Sequence, residues 1–452
     1  MSDTIAAVST GSQVCAIGIV RLSGDAAIDI ADKLFEPLRG KPVAEREDRK
    51  LIYGNLHDEQ GRILDICLCT ISRAPNSYTG ENTAEFQCHG SPVVLRAVLE
   101  AAFALGARQA LAGEFTKRAF LNGRMDLSSA EAVADIIDAE TAEAARNAAG
   151  QLGGAIAKRI DAVYDMLTDI SSHYHAVLDY PDEDIEDFTL AQYEADIASC
   201  TQTLEKLRSS YDSGRVMHSG VPAAIIGRPN AGKSSLLNAV LGYDRAIVTD
   251  IPGTTRDTIE EKLKLGGVLL RLTDTAGIRE TDDEIERLGV DRSRRAMEQA
   301  ELVLAVIDGS RAMSDEDRAL IKCAEDAPHG IVVISKHDLG SAFEAPETAL
   351  PVVEISSLTG EGLDKLENTV RALFPMPTVP AGEILTNARQ FDAVSRALES
   401  MKAAADAMHA GCTPDIVLTE TETAMSALGE LTGKTVREEV TNRIFSRFCV
   451  GK

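Results

Sequence analysis

Residues 222–240, PAAIIGRPNAGKSSLLNAV, decide the fold class of one domain of this protein. The apolar run at 223–226 predicts a short buried strand, and the pattern after Ser234 turns helical. Between them lies the spacing Gly-x-x-x-x-Gly-Lys-Ser, which is the pattern of a phosphate-binding loop, or P-loop. In such a loop backbone N–H groups surround the phosphates, the lysine neutralises the β and γ oxygens, and the serine binds Mg²⁺. We therefore predict a nucleotide site built around Lys233 and Ser234.

Three further motifs follow in the order that is typical of GTPases. Residues 274–277, DTAG, come after the apolar run VLLRL, so that Asp274 can reach the metal from a strand end. Lys336 and Asp338 follow the strand-like run GIVVIS, and a carboxylate there accepts both N1–H and N2–H of guanine, which adenine cannot offer. A serine loop at 356–358 ends the series. Alternating strands and helices of this kind predict a doubly wound parallel sheet with the nucleotide at the carboxyl ends of its strands.

Two positions depart from the usual GTPase pattern. Ser335 stands where an N-K-x-D motif has Asn, and we expect this shorter side chain not to bridge the loops, so that nucleotide affinity is reduced. Ile278 stands where a glutamine would orient the attacking water, and it has no hydrogen-bonding group. Asn230 and the polar loop TDIPGTTRD (249–257) instead indicate a monovalent cation at the phosphates, covering charge that an arginine normally covers. The alternative is that Asn230 only caps the loop.

Composition limits the other possibilities. The chain has 452 residues, enough for about three domains, and a formal net charge of −25, which argues against nonspecific nucleic-acid binding over the whole surface. No signal peptide or membrane span is predicted, and the eight scattered cysteines favour reduced thiols in the cytoplasm. In the strand-like run ILDICLCTI we expect Cys67 and Cys69 to point to opposite faces, which argues against a shared metal.

Changes of composition and of hydrophobic periodicity along the chain predict an inserted domain. Residues 1–118 mix strand-like and helix-like runs and form an α/β domain, whereas 119–215 are Ala-rich and helical. Residues 216–377 carry the nucleotide motifs, and helical periodicity returns in 378–452 after a Pro-rich linker. We therefore expect one helical domain that is split by an inserted nucleotide-binding domain.

The chain ends in RFCVGK, which leaves three possibilities for Cys449. A prenylation box is disfavoured, because Gly451 and Lys452 do not fit its usual endings and no basic cluster precedes it. An inert thiol and a reactive thiol brought into a site made elsewhere in the chain both remain open. A final helix carrying Phe448 as an anchor could return Cys449 to the N-terminal domain.

Several motifs together resemble the MnmE (TrmE) family of tRNA-modifying GTPases. They are GRPNAGKSSLLN, TDIPGTTRD, DTAGIRETDDEIERLG, FCVGK, YTGENTAEFQCHG and GEFTKRAFLNGRMDLSSAEAVADII. The resemblance spans essentially the whole chain. It implies an N-terminal folate-binding-like domain, a helical domain and an inserted Ras-like GTPase domain.

For the GTPase domain the resemblance implies potassium-dependent dimerisation across the nucleotide faces. Potassium would be held by Asn230, Thr249, Ile251 and Thr254, and Mg²⁺ by Ser234 and Thr255. Glu286 would be the acid that positions water. The residues expected to contact GTP are Asn230, Ala231, Gly232, Lys233, Ser234, Ser235, Thr249, Asp250, Ile251, Pro252, Gly253, Thr254, Thr255, Asp274, Thr275, Ala276, Gly277, Lys336, Asp338, Ser356, Ser357 and Leu358.

For the remainder the resemblance implies a homodimer that binds 5,10-methylene- or 5-formyl-tetrahydrofolate through Arg21, Glu85, Arg124 and Lys452. Cys449 is a candidate catalytic thiol, and His89 is expected to be a core or loop histidine. With the FAD-dependent partner MnmG, in a heterotetramer or larger complex, such a protein would place an aminomethyl-type group on C5 of the wobble uridine (U34) of certain tRNAs. The rival hypothesis is a GTP-dependent switch in tRNA or ribosome handling without alkylation chemistry.

Overall fold

A computed structural model of the chain describes residues 3–11, 13–179, 190–243, 261–272, 300–375, 379–435, 438–446 and 448–451. It contains two compact units. The first comprises Met1–Asp138, Asn147–Leu204 and Asp392–Lys452, and the second Ala139–Arg146 and Glu205–Phe391. Each unit has a sheet of its own.

The sheet of the first unit has seven strands in the order β3-β4-β5-β6-β2-β1-β7. The strands are β1 (Ile5–Val8), β2 (Cys15–Ser23), β3 (Phe35–Pro37), β4 (Ile52–His57), β5 (Ile63–Ser72), β6 (Thr83–Gly90) and β7 (Arg108–Gln109). Neighbours pair antiparallel except β1 and β7, which are parallel. Helices α1 (Ala27–Leu34) and α2 (Pro92–Ala104) cover one face, because alternate strand residues are apolar and need a buried partner.

One expectation about this sheet is wrong. Cys67 and Cys69 do not point to opposite faces; both are buried in the core beneath α1 and α2, together with Cys88. The reason is that side chains two residues apart on a strand share a face. The argument against a shared metal therefore fails, and these cysteines are considered again below.

The rest of the first unit is helical. Its helices pack through apolar residues at helical spacing, as α6 does with Ile156, Ile160, Val163, Leu167 and Ile170. The His175 ring joins α6 to Glu422 of α13, with 2.9 Å between Nε2 and Oε1. The helices are α3 (Glu114–Leu121), α4 (Leu127–Asp138), α5 (Ala142–Leu152), α6 (Ala155–Asp179), α7 (Leu190–Ser209), α12 (Ala388–His409), α13 (Pro414–Thr432) and α14 (Glu438–Phe445), of which α5, α7 and α12 extend into the second unit.

The sheet of the second unit has six strands in the order β13-β12-β11-β8-β10-β9. The strands are β8 (Val221–Ile226), β9 (Glu261–Leu265), β10 (Val268–Leu272), β11 (Leu302–Asp308), β12 (His329–Ser335) and β13 (Val352–Glu354). All pairs are parallel except that of β9 with β10, so the predicted doubly wound sheet is confirmed with an antiparallel strand at one edge. Its helices are α8 (Tyr211–Ser219), α9 (Lys233–Tyr243), α10 (Asp315–Glu325) and α11 (Leu363–Leu373).

Strands β8, β11 and β12 are buried along almost their whole length, which explains their continuous apolar sequences. Apolar side chains of α9 and α11 complete the core of this unit on one face. In the described part of the chain, no helix combines the length and the apolar character that a membrane span requires.

Candidate functional site

The P-loop has the strand–loop–helix form that its sequence predicts. It connects β8 to α9, with Asn230 and Gly232 in the left-handed region at φ 61° and 97°. The half-buried Lys233 ammonium donates to the carbonyls of Gly227, at 2.7 Å, and Arg228, at 2.9 Å. Burial lowers the pKa of Lys233. The loop is thus closed around its own lysine, and the Asn230 side chain is exposed at its tip.

The residues predicted to recognise the base follow the ends of the neighbouring strands. Lys336, at φ 58°, places its Nζ 2.7 Å from Oδ2 of Asp308 at the end of β11. Burial would raise the pKa of Asp308, but hydrogen bonds from Lys336 and Ser310 outweigh it and lower that pKa. The Ser356 hydroxyl donates to Oδ1 of Asp338 at 2.7 Å and so orients the carboxylate. Ser357 is half-buried and Leu358 is 85% exposed, so these loop residues present an open edge.

The expectation for Ser335 is wrong in one respect. Its buried hydroxyl lies 2.5 Å from the carbonyl of Ala231 in the P-loop and 3.1 Å from that of Ile307 in β11. The serine bridges these elements because it lies close to Gly232, where a Cβ would be 3.3 Å from its hydroxyl. A hydroxyl has a single proton, however, so it donates to one of the two carbonyls at a time. Reduced nucleotide affinity remains a prediction.

Sequence reasoning missed Arg228 and Asp308. Arg228 ties the P-loop to the start of α10, with its Nη1 2.9 Å from the Ser314 hydroxyl and its Nε 2.9 Å from Glu316. Ser314 and Asp317 form a capping box there. The spacing of that box is visible in the sequence, but its contact with Arg228 is not. Asp308 could have been found, because it ends a strand whose parallel neighbour leads into Lys336.

Part of the predicted site lies outside the described residues. Of the predicted GTP and metal contacts, the described structure brings Asn230, Ala231, Gly232, Lys233, Ser234 and Ser235 together in one loop and helix start. The positions outside the described residues are Thr249, Asp250, Ile251, Pro252, Gly253, Thr254, Thr255, Asp274, Thr275, Ala276, Gly277, Glu286 and Lys452.

A second candidate site lies on the N-terminal sheet. Arg21 and Glu85 are directly opposite on β2 and β6, and their side chains form a salt bridge with 2.7 Å between Nε and Oε1. The Arg21 guanidinium lies over the rings of Tyr78, at 5.4 Å, and Phe115, at 5.7 Å. Arg124 is exposed, and its side chain lies against Gly80. The Arg21–Glu85 ion pair therefore lies beside the Tyr78 ring, and this combination of charges and an aromatic ring suits a polar aromatic heterocycle.

A network of charges surrounds α3, with Arg118 and Glu114 buried and Arg108 and Asp3 partly exposed. Arg118 donates to Glu81, at 3.0 Å, to Glu114, at 3.0 Å, and to Asp3, at 2.6 Å. Arg108 also donates to Glu114 and Asp3. Burial alone would raise the pKa of Glu114, but the hydrogen bonds from Arg108, the Leu111 amide and Arg118 lower it to about 2. The i, i+4 pair of Glu114 and Arg118 on α3 is the local part of this network, and its other contacts arise only through the fold.

The C-terminal tail returns to the N-terminal sheet, as predicted. Val450 pairs with Ala112, the Gly113 amide donates to the Cys449 carbonyl at 3.3 Å, and the Ser9 hydroxyl donates to the Gly451 carbonyl at 2.9 Å. The Cys449 thiol is exposed. Phe448 does anchor the tail in a cluster with Phe445, but it lies beyond the end of α14 rather than on it.

Comparison with known proteins covers the whole chain. Residues 4–124 match the family of the GTP-binding protein TrmE N-terminus, and residues 127–449 match the MnmE helical domain. The tRNA modification GTPase MnmE of Roseiflexus sp. (strain RS-1) is 43% identical, covering 100% of this chain and 99% of the relative. Those of Symbiobacterium thermophilum and Clostridioides difficile (strain 630) are 44% and 39% identical, again over 100% of this chain and 99% and 100% of the relatives. These matches span the chain from end to end, and the chain therefore belongs to the MnmE family of tRNA modification GTPases.

Proposed function

We propose that this protein is a potassium-dependent GTP hydrolase that acts in the modification of wobble uridine. The observation that carries the proposal is the convergence of Lys233, Lys336 and the Ser356–Asp338 pair at the carboxyl edge of one parallel sheet. In our proposal the inserted GTPase domain spans 216–377, within a helical domain made of 119–215 and 378–452, and follows the folate-binding domain 1–118.

The described residues take separate roles in nucleotide binding. The Lys233 ammonium would leave the loop carbonyls of Gly227 and Arg228 to pair with the β and γ phosphates. The Asp338 carboxylate, held by the Ser356 hydroxyl, would accept the two guanine N–H groups. Lys336, fixed by Asp308, would lie against the base.

The residues at the loop fit the two expected metal ions. Ser234 lies in the first turn of α9, directly after Lys233, where its hydroxyl can bind Mg²⁺ together with Thr255. Asn230 has an exposed amide oxygen at the loop tip, which suits K⁺, with Thr249, Ile251 and Thr254 supplying further oxygens. When bound, the two cations neutralise charge that develops on the phosphates during cleavage. Glu286 would position the water that Ile278 cannot hold.

In our proposal the Arg21–Glu85 surface of the N-terminal domain binds a folate cofactor. A tetrahydrofolate could exchange the Arg21–Glu85 salt bridge for bonds to its own polar edge while its ring stacks on Tyr78. Arg124 and Lys452 would bind its glutamyl carboxylates, and Cys449 would be the reactive thiol beside it. We propose that a homodimer with tRNA and the FAD-dependent MnmG, in the cytoplasm, converts U34 to aminomethyl or carboxymethylaminomethyl derivatives using this one-carbon unit.

The decisive experiment compares GTP turnover in K⁺ and in Na⁺. Wild-type protein is expected to hydrolyse GTP faster in K⁺, and Asn230→Ala should remove that preference. Asn238→Ala is the matched control, because Asn238 is also exposed but lies on α9 away from the loop tip. Equal turnover in both salts would refute the potassium site. Mass spectrometry of wobble uridines from cells that lack the protein tests the tRNA assignment.

Glu286→Ala tests the water-positioning role separately. We expect the variant to bind GTP as the wild type does and to lose hydrolysis, whereas unchanged turnover would remove Glu286 from the mechanism. In the rival function, a GTP-dependent switch without alkylation, the Arg21–Glu85 salt bridge would be a structural contact between β2 and β6. Failure of the protein to bind tetrahydrofolate would support that rival.

A further inference from the structure

Three potential metal ligands converge on the helix-covered face of the N-terminal sheet. The ligand atoms of Asp65, Cys67 and Cys88 all lie within 4.8 Å of one another. Cys67 and Cys88 are buried, and Asp65 is at the border of the core. Because side chains alternate along a strand, Cys88 and Glu85 point to opposite faces, so this group is separate from the Arg21–Glu85 surface.

The register of the sheet explains why the two thiols meet. Leu68 pairs with Gln87, so continuing the antiparallel register by one residue places Cys67 opposite Cys88. Their outer neighbours across the sheet are both glycines, since Gly54 pairs with Cys67 and Gly18 pairs with Cys88. No side chain on these strands therefore crowds the sulfur atoms from either side.

Apolar groups from elsewhere close the space above those glycines. A Cβ at Gly18 would lie 2.6 Å from the Leu95 side chain, and one at Gly54 would lie 2.6 Å from the Phe35 ring. Leu95 therefore fills the space over Gly18, and Phe35 and the Glu36 carbonyl fill the space over Gly54. Cys67 and Cys88 are themselves buried. Such surroundings limit the access of solvent to a metal site.

A third thiol lies beside this group. Cys15 pairs with Gly90, and its Sγ is only 2.4 Å from where a Cβ of residue 90 would be. Residue 90 shares a face with Cys88, so the Cys15 sulfur is on the same side of the sheet as the other ligands. Unlike them it is exposed, and it hydrogen-bonds only weakly to the Ile17 carbonyl, at 3.1 Å. It is not among the ligand atoms that lie within 4.8 Å of one another, so it joins them only if its exposed side chain turns towards them.

The Asp65 carboxylate is already oriented. Its Oδ2 accepts from the His89 backbone amide, and its Oδ1 is 2.8 Å from the His89 ring nitrogen Nδ1. His89 is on strand β6 with an exposed side chain, so the expectation of a core or loop histidine is wrong. A hydrogen-bonded partner of this kind fixes a ligating carboxylate in metal sites.

We propose that Asp65, Cys67 and Cys88 form a binding site for a Zn²⁺ ion, and that the Cys15 side chain turns towards the ion to become the fourth ligand. Thiolates with a carboxylate in a tetrahedral arrangement are typical of Zn²⁺. Without the ion, the hydrogen bond with Cys67 and burial raise the pKa of the Cys88 thiol. On binding, each thiol loses its proton to water as its sulfur–metal bond forms, and no electron is transferred. The ion would join β2, β5 and β6.

The test uses the reduced, full-length protein stripped of metal with a chelator and titrated with Co²⁺. We expect one equivalent of Co²⁺ to give thiolate charge-transfer absorption, which Zn²⁺ then abolishes by displacement. Cys67→Ala, Cys88→Ala and Asp65→Asn should each weaken binding at least about tenfold. Cys15→Ser should lower the charge-transfer intensity. Asp65→Asn keeps the size of the side chain and leaves the core intact, so its loss of binding cannot be attributed to misfolding.

Cys69→Ala is the matched control, because Cys69 is on the same strand and in the same core but outside the group. It should bind Co²⁺ as the wild type does. Absence of the thiolate absorption from wild-type protein would overturn the proposal. Equal absorption from Cys67→Ala and Cys88→Ala would overturn it too, since the signal would then come from exposed thiols such as Cys323 and Cys412. A disulfide between Cys67 and Cys88 that forms despite added Zn²⁺ would also contradict it.

Discussion

The nucleotide site and the Arg21–Glu85 surface are assembled in different ways. Around the nucleotide, Lys233, Lys336 and Ser356 each follow a strand of one parallel sheet, and the carboxyl ends of such strands meet at one edge. On the N-terminal sheet, Arg21 meets Glu85 across 64 residues of chain, and Ser9 meets Gly451 across 442. The first site depends on local motifs, and the second depends on the register of the whole domain.

The two regions also differ in how their charges are held. The Lys233 ammonium donates to the Gly227 carbonyl, and the Lys336 ammonium donates to Asp308. A bound nucleotide can replace these partners. Arg118 and Glu114 are buried and bonded to each other and to further charges. Breaking a contact of Lys233 or Lys336 should therefore change nucleotide binding. Breaking a contact of Arg118 or Glu114 should instead lower the stability of the N-terminal domain.

The largest effect is expected from Lys233→Ala. The substitution removes the charge that we propose pairs with the β and γ phosphates, and it should lower GTP hydrolysis at least about 100-fold. Binding of tetrahydrofolate should not change, because the N-terminal surface does not depend on the P-loop. Steady-state GTPase assays and folate titrations measure the two effects, with the exposed Lys322→Ala as control. Loss of folate binding in Lys233→Ala would show that the two regions are not independent.

The sequence predicted these two regions unequally. The strand, loop and helix around Lys233 were correctly placed, because glycine spacing and apolar runs encode them locally. The bridge made by Ser335 was missed, since it depends on how closely Gly232 approaches β12. The pairing of Cys67 with Cys88 depends on how β5 and β6 are aligned, and the contacts of Arg118 with Glu81 and Asp3 join α3 to distant parts of the chain. Both were missed, because they join residues that are far apart in the sequence.

Glu114→Gln should destabilise the N-terminal domain. The folded-state pKa of Glu114 is lowered from 4.5 to about 2, so its contribution is complete above pH 4.5 and is lost as pH falls through 2. That shift corresponds to roughly 3 kcal/mol at neutral pH. Urea unfolding at pH 7 should show the variant destabilised by about that amount.

The pH dependence distinguishes this charge effect from a loss of packing. At pH 3 the difference between wild type and Glu114→Gln should fall to about half, because the native carboxylate then stabilises less. Glu100→Gln, at an exposed position on α2, should leave both values unchanged. A difference that stays constant between pH 7 and pH 3 would contradict the assignment. GTP hydrolysis at pH 7 should be unaffected while the variant remains folded.

Gly451→Ala should release the tail from the N-terminal sheet. Gly451 has φ 102°, and a Cβ there would lie 2.1 Å from the Val8 carbonyl oxygen. We expect a cost of about 2 kcal/mol. Because the tail that carries Cys449 would be displaced, the proposed tetrahydrofolate binding should weaken. Hydrogen exchange of the peptide that contains Gly113 should become faster, since the Gly113 amide donates to the Cys449 carbonyl.

Gly411→Ala is the matched control for backbone strain alone. Gly411 has φ 67°, but a Cβ there meets nothing within 4 Å. Equal losses of folate affinity in the two variants would mean that strain, and not release of the tail, causes the effect.

The smallest effect is expected from Ser335→Ala, and it tests how the nucleotide site compensates for its missing asparagine. The substitution removes the hydroxyl that bridges Ala231 and Ile307 but leaves the backbone of β12 unchanged. Because the hydroxyl donates to one carbonyl at a time, we expect a loss of roughly 1 kcal/mol. This should appear as an approximately fivefold weaker affinity for GDP.

Ser341→Ala separates the bridge from an ordinary hydroxyl contact. Ser341 also donates to a carbonyl, that of Phe343 at 2.6 Å, but it is exposed, so water can replace its hydrogen bond. The Ser341→Ala variant should bind GDP with the affinity of the wild type, as measured by calorimetry. If Ser335→Ala also binds GDP normally, the serine bridge does not hold the P-loop in place. The loop would then depend on the contacts of Arg228 with Ser314 and Glu316, and Arg228→Ala would be the variant that loses affinity.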